Sequence, residues 1–151
     1  MCLVFVLDTN TGQRRVLLGL KHSGIGATNV VGLGGHVDPG ETAREAAVRE
    51  AEEEAGIALP PDALNEVGVV RFRFPAKQSW NQDVAVFTTT TWTGEPEPSD
   101  EITPAWYDID AIPFDDMWDD AHHWLPAVLR GESIDSTVTF ASDNRTVDAV
   151  A

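Results

Sequence analysis

The segment from Thr42 to Gly56, TAREAAVREAEEEAG, constrains this chain more than any other, because both of its ends are marked by local signals. Thr42 and Glu45, three positions apart, form a capping box in which side chains and backbone of the first turn satisfy one another. Gly56 suits the left-handed position that closes a helix, while Pro39 and Gly40 punctuate the approach. Together they predict a helix over Ala43 to Ala55. At about 100° per residue, Ala43, Ala47, Val48, Ala51 and Ala55 share an arc whose small side chains allow close packing on a sheet. Glu50, Glu53 and Glu54 fall in a second arc, so three carboxylates are expected on one patch. Glu45 precedes Arg49 by four residues, the favourable order for an ion pair.

A solvated acidic face explains many charge runs. Here Glu53 and Glu54 lie in the last turn, where the helix dipole is negative and acids are disfavoured. Something positive should therefore stand nearby. Hard divalent ions take oxygen ligands and commonly sit between carboxylates and substrate phosphates. The preceding Gly32, Gly34 and Gly35 let backbone come close to such a site.

Around this helix the chain reads as strands. Cys2 to Leu7 and Arg15 to Leu20 are apolar runs separated by the turn-rich Asp8 to Gln13, which predicts a strand pair. Lys21 to Gly35 is a glycine-rich loop with a short strand near Val30. Glu66 to Pro75 and Asp83 to Trp92 are strand-like, and the acid- and proline-rich Thr93 to Glu101 separates them from a short strand around Trp106 to Ile109. Asp115 to Gly131 reads as a helix that Pro126 kinks or divides, and Ser136 to Val150 as a hairpin turning at Ser142 to Asn144. Strands alternating with two helical segments predict an α/β or α+β sandwich.

At 151 residues and 42% hydrophobic content the chain suits one domain, 1–151, with a real core. A formal net charge of −15 argues against nucleic-acid polymers and anionic membranes as partners. Small anions remain accessible with a metal's help. The single cysteine, Cys2, fits a reducing compartment, and the opening apolar run is too short for a signal core or a membrane span, so a cytoplasmic location is expected. Oligomeric state is not legible.

Gly35, Glu41, Arg49, Glu50, Glu53, Glu54, Gly56 and Ile57 stand at the spacing of the pattern Gx5Ex7REUxEExGU, where U is a bulky aliphatic. In these residues the chain resembles the Nudix hydrolase family. Ala51, at the first U, is the one departure, and it bears on packing rather than chemistry. The stretches LLGLKHSGIGA, GLGGHVDPGET, VRFRF and SDEITPAWYDIDAIPFDDMW, followed by Trp124, are similar to the animal-type oxidised-purine nucleoside triphosphatases of that family, also called 8-oxo-dGTP diphosphatases or MutT-like enzymes.

The resemblance implies a mixed-sheet sandwich between helices. It also implies Mg²⁺-dependent hydrolysis, with Mn²⁺ a possible substitute, of a small-molecule nucleoside triphosphate to monophosphate and pyrophosphate. By the family pattern Glu50 and Glu54 ligate the ion, and Glu53 is a further ligand or the base that orients water. The Gly34 carbonyl completes the shell, Arg49 keeps the glutamates in register, and Glu41 supports the loop. Glu101 rivals Glu53 as base or ligand. Gly35 and Gly56 are structural. For the purine, the resemblance places Phe72, Trp118 and Asp120 in a pocket with Lys21, Ile25 and Ile102 near it. Val31 occupies the position of a base-reading asparagine, with Asn29 two residues earlier, and Ala121 stands where a second aspartate is expected. Retained Phe72, Trp118 and Asp120 favour oxidised purines. Val31 and Ala121 favour another substrate, such as a canonical nucleoside triphosphate, a nucleotide sugar or ADP-ribose. A non-catalytic nucleotide sensor would have no need of three repelling carboxylates.

Overall fold

The computed structural model describes residues 1–10 and 12–151, so one position of the turn expected between the first two strands, Thr11, lies outside the described residues. Strands β1 (Cys2–Asp8) and β2 (Arg15–Lys21) pair antiparallel, with Leu7 opposite Val16. The glycine-rich loop carries two short strands, β3 (Val30–Val31) and β4 (Leu33–Gly35). Helix α1 spans Ala43–Ala55 and is followed by β5 (Asn65–Arg73), β6 (Gln82–Thr89) and β7 (Ile102–Asp108). Helix α2 (Ala121–Leu129) precedes the terminal hairpin of β8 (Ile134–Phe140) and β9 (Val147–Val150). The sheet order is β3-β2-β1-β6-β5-β8-β9, with β4 on β1 and β7 on β2. It is mixed, since β1 runs parallel to β6 and β5 parallel to β8 while the other pairs are antiparallel.

Strand alternation sends successive side chains to opposite faces. Val4, Val6 and Leu17 pack with Ala46, Ala47, Ala51 and Ala55 of α1, whereas Phe5, Leu7, Val16 and Leu18 pack with Trp124, Leu125, Val128 and Leu129 of α2. One helix therefore covers each face, which is the expected sandwich. The four alanines are fully buried, so α1 approaches the sheet closely. Ala46 takes the inner position expected for Ala43 or Val48, both of which are half-buried at the flanks.

Two elements differ from expectation. Strand β7 begins at Ile102 rather than near Trp106, because its whole length pairs with β2 from Lys21–Ile102 to Arg15–Asp108. The segment read as a helix from Asp115 is a 3₁₀ turn at Phe114–Asp116, then extended backbone at Met117, with α2 starting only at Ala121. The side chain of Asp119 explains part of this, since its Oδ2 accepts a hydrogen bond of 2.8 Å from the Val147 amide of β9. Pro126 lies inside α2 without dividing it. Among the described residues no helix is long and apolar enough to cross a membrane.

Candidate active site

Helix α1 starts and stops where its local signals place it. Thr42 accepts from the Glu45 amide, the Glu45 carboxylate accepts from the Thr42 amide at 3.0 Å, and Gly56 adopts φ 68° and ψ 21°. Because the cap occupies Glu45, the ion pair expected with Arg49 does not form. Arg49 turns instead toward the loop before the helix. Its Nε and Nη2 each donate to Glu41 at 2.9 Å, Nη2 donates to the His36 carbonyl at 3.0 Å, and Nη1 reaches Glu50 at 3.0 Å and Glu53 at 3.2 Å. This two-pronged pairing, joined by the Asp38 amide, holds the Glu41 carboxyl down at about 2. One guanidinium thus ties the loop to the acidic face of the helix.

Of the three carboxylates expected on one patch of α1, Glu50 and Glu54 converge, and the third member of the cluster is Glu101, the residue expected to rival Glu53. Glu50 and Glu54 meet Glu101, from the loop before β7, with one ligand oxygen of each within 4.8 Å of the others. Glu53 lies on the flank of α1, its side chain 49% exposed and paired with Arg49. The arc that places Glu53 beside Glu50 and Glu54 is correct for the helix, but only the inner two reach over β4. Glycines make that reach possible. A Cβ on Gly35 would stand 2.7 Å from Glu50 Oε1, and the Gly34 amide donates to Glu54 Oε1 at 2.8 Å.

Glu54 is 8% exposed. Burial, added to by the charges of Glu50 and Glu101, pushes its carboxyl up to about 7 against the opposing pull of the Gly34 amide and Lys21. Burial raises Glu50 as well, although Arg49 counters it. A cluster of hard oxygen donors, two of them buried at Glu50 and Glu54 and the third exposed at Glu101, has the chemistry of a divalent-cation site.

A cavity of about 500 Å³ joins this cluster to an aromatic wall. Lys21, Ile25, Val31 and Gly34 line it, as do Phe72, Trp118 and Asp120, so the structure brings these expected residues together with Glu50, Glu54 and Glu101. Ile102 is the exception: it is fully buried in the core beneath α1, where it fills the space that a Cβ on Gly19 would need. Parity decides this, since Ile102 points to the α1 side of its strand. Lys21 Nζ donates to the Ile25 carbonyl at 2.6 Å, fixing the loop that edges the cavity. Gly26, at φ 84°, lets that loop pass Trp118 closely, because a Cβ there would meet the indole nitrogen at 2.6 Å.

Trp118 stands edge-on to Phe74 and Phe140, which are themselves stacked at 4.5 Å. Asp120, the residue before α2, is 4% exposed and accepts from Trp124 Nε1 at 2.7 Å through Oδ2. Burial pushes its carboxyl upward, so the neutral acid is favoured more than in water. Phe74, Trp80, Gln82 and Phe140 are among the lining residues that the sequence reading does not place in the pocket. The alternation of Phe72 and Phe74 is legible in the sequence, but which residues meet the cavity depends on the neighbouring strands and helix.

Residues 2–128 match the family model described as the NUDIX domain. The chain is 43% identical over 128 residues to an oxidized purine nucleoside triphosphate hydrolase of Danio rerio, covering 85% of this chain and 79% of that protein. It is 40% identical to the Mus musculus protein of the same name, covering 85% and 78%. A crystal structure of a MutT protein from Bacillus halodurans superposes with a TM-score of 0.80 at 21% identity, over 99% of this chain and 94% of that one, which speaks to the fold. With every glycine and charged position of its box retained and the family match extending over most of its length, the chain belongs to the Nudix hydrolase family.

Proposed function

We propose that this chain is a Mg²⁺-dependent pyrophosphohydrolase of oxidised purine nucleoside triphosphates such as 8-oxo-dGTP, releasing the monophosphate and pyrophosphate, and so a sanitiser of the nucleotide pool. One observation carries the reading: the carboxylate cluster and an aromatic wall bearing a buried acid share a single cavity. The names of the two animal relatives support the substrate class. We also infer that residues 1–151 act as one domain, since β8, beyond the matched residues, pairs with β5 inside them. A cytoplasmic setting agrees with the lone cysteine, Cys2, a buried thiol whose ionisation burial opposes.

Glu50, Glu54 and Glu101 would hold the ion, with the Gly34 backbone beside them. Bound there, a divalent ion supplies charge neutralisation to the phosphates and to the charge that develops as the anhydride breaks. The protein's own groups do the rest. Arg49 holds Glu50 and Glu53 in place. Glu53 and Glu101 are the candidates to accept the proton of the attacking water, and Glu101 has the more direct access because it belongs to the cluster. Water adds to phosphorus, the bridging P–O bond breaks, and its electron pair leaves with one of the two phosphate products. Phe72 and Trp118 enclose the base, and Asp120 reads its edge through the oxygen that Trp124 does not occupy.

Val31 and Ala121 favour a second reading, hydrolysis of another diphosphate-linked nucleotide, because neither side chain can hydrogen-bond a base. Parallel kcat/KM measurements with Mg²⁺ on 8-oxo-dGTP, dGTP and dATP decide between the two. A preference for the oxidised base of about tenfold, or about 1.4 kcal/mol, supports the first. Equal or poor rates on all three move the assignment to the second.

A further inference from the structure

The side of the cavity away from the acidic cluster is poor in groups that can read a purine. Of the polar side chains lining the cavity, Lys21, His36, Glu50, Glu54 and Glu101 belong to the box and the loops around it. Only Gln82 and Asp120 remain among the aromatic residues, and one oxygen of Asp120 is already bonded to Trp124. Asn29 does not stand in for the missing asparagine, because it lies outside the lining of this cavity and its amide nitrogen donates to the Asp116 carbonyl at 3.2 Å.

Gln82 opens β6 directly opposite Phe72 of β5. Alternation places it on the same face as Val84 and Val86, the face that α2 covers. Among the described residues no group hydrogen-bonds its carboxamide; its backbone carbonyl alone accepts, from Arg73. A ligand that covers such a group must pair it or leave it desolvated and unsatisfied. A carboxamide offers one acceptor beside a donor. Its complement is a base edge with a ring N–H next to a carbonyl. Guanine presents two acceptors, N7 and O6, on its major-groove edge. Oxidation at C8 turns N7 into an N–H donor while O6 stays an acceptor. Set against N7 and O6, one carboxamide pairs the oxidised edge through Oε1 and Nε2 at once, whereas the unoxidised edge sets an acceptor against an acceptor in either amide orientation; set against N1–H and O6, which both bases share, it would give no preference.

We propose that Gln82 is a specificity-determining residue of this enzyme, its carboxamide recognising the N–H and carbonyl edge of an 8-oxopurine and supplying the discrimination that Val31 cannot. The inference rests on the function proposed above, and the test separates the two. The ratio of kcat/KM on 8-oxo-dGTP to that on dGTP is measured for the wild type, Gln82→Leu and Gln82→Glu, with both substrates on each preparation so that the folded fraction cancels. Binding of 8-oxo-dGMP and dGMP is measured by calorimetry in metal-free buffer as a second readout. The ratio should fall about tenfold or more in Gln82→Leu, which loses both hydrogen bonds, and less in Gln82→Glu, which keeps an acceptor for N7–H. The binding preference should fall with it. A wild type that prefers the oxidised base and a Gln82→Leu variant that keeps the same ratio would overturn the role of Gln82 and leave the proposed function standing. A wild type with no preference would overturn both.

Discussion

Glu54→Gln should stabilise the metal-free protein while abolishing its turnover. In the folded chain the Glu54 carboxyl is pushed up to about 7 by burial and by Glu50 and Glu101, against an ordinary value of 4.5. A raised carboxyl binds its proton more tightly folded than unfolded, so stability is greatest below about pH 4.5 and is lost as pH rises toward and through about 7. At about 1.4 kcal/mol per pH unit the gap corresponds to about 3 kcal/mol of destabilisation by about pH 8. For a chain of this size that is about 6 to 12 °C in Tm. Glutamine keeps an oxygen for the Gly34 amide, so little else is lost. Thermal melts of both proteins in chelator between about pH 4.5 and 8.5 should converge at the acid end and diverge toward the alkaline end, the variant melting higher. Added Mg²⁺ should then raise the wild type and leave the variant unmoved. A variant that melts within about 2 °C of the wild type, or below it, at about pH 8 without metal would refute the claim that ionised Glu54, buried beside Glu50 and Glu101, destabilises the fold.

Three further outcomes follow from the same geometry. Arg49→Lys should lower kcat/KM by about 10- to 100-fold with the far-UV circular dichroism intact, since one ammonium cannot reproduce the paired bonds to Glu41 together with those to Glu50 and Glu53. Gly35→Ala places a Cβ against Glu50 Oε1 and should weaken Mn²⁺ binding, read by calorimetry, by about 10-fold or more. Asp120→Ala leaves the buried indole N–H of Trp124 without its acceptor and should cost about 1 to 3 kcal/mol in urea unfolding, whereas Asp120→Asn, which retains an acceptor, should cost less.

The metal half of the site was legible to different depths. Glu50, Glu54, Arg49 and Glu41 stand on or beside one helix, and helical periodicity alone brings them near one another. Periodicity also groups Glu53 with them, and there it misleads. The helix fixes the angle of a side chain about its own axis, but the neighbouring strand decides which part of an arc is inside. Glu53 ends on the flank with Arg49, and Glu101, from a distant loop, completes the cluster. In the base half, Phe72, Trp118 and Asp120 follow from the resemblance, while Gln82 lies one residue before the strand that the sequence predicts from Asp83 and enters β6 only in the structure.

The sequence by itself determined the elements whose signals are local. The capping box and Gly56 bound α1 at Ala43 and Ala55, and the alternating runs marked the strands, because a turn of helix or a pleat is specified by residues a few positions apart. Only the tertiary structure decided what depends on distant partners. The β2 pairing set the start of β7, the Val147 amide drew Asp119 away from a longer helix, and sheet order sent Ile102 to the core and Gln82 to the cavity. Alternation assigns a strand residue to one of two faces, but which face meets helix, solvent or substrate is settled only when the strands find their neighbours.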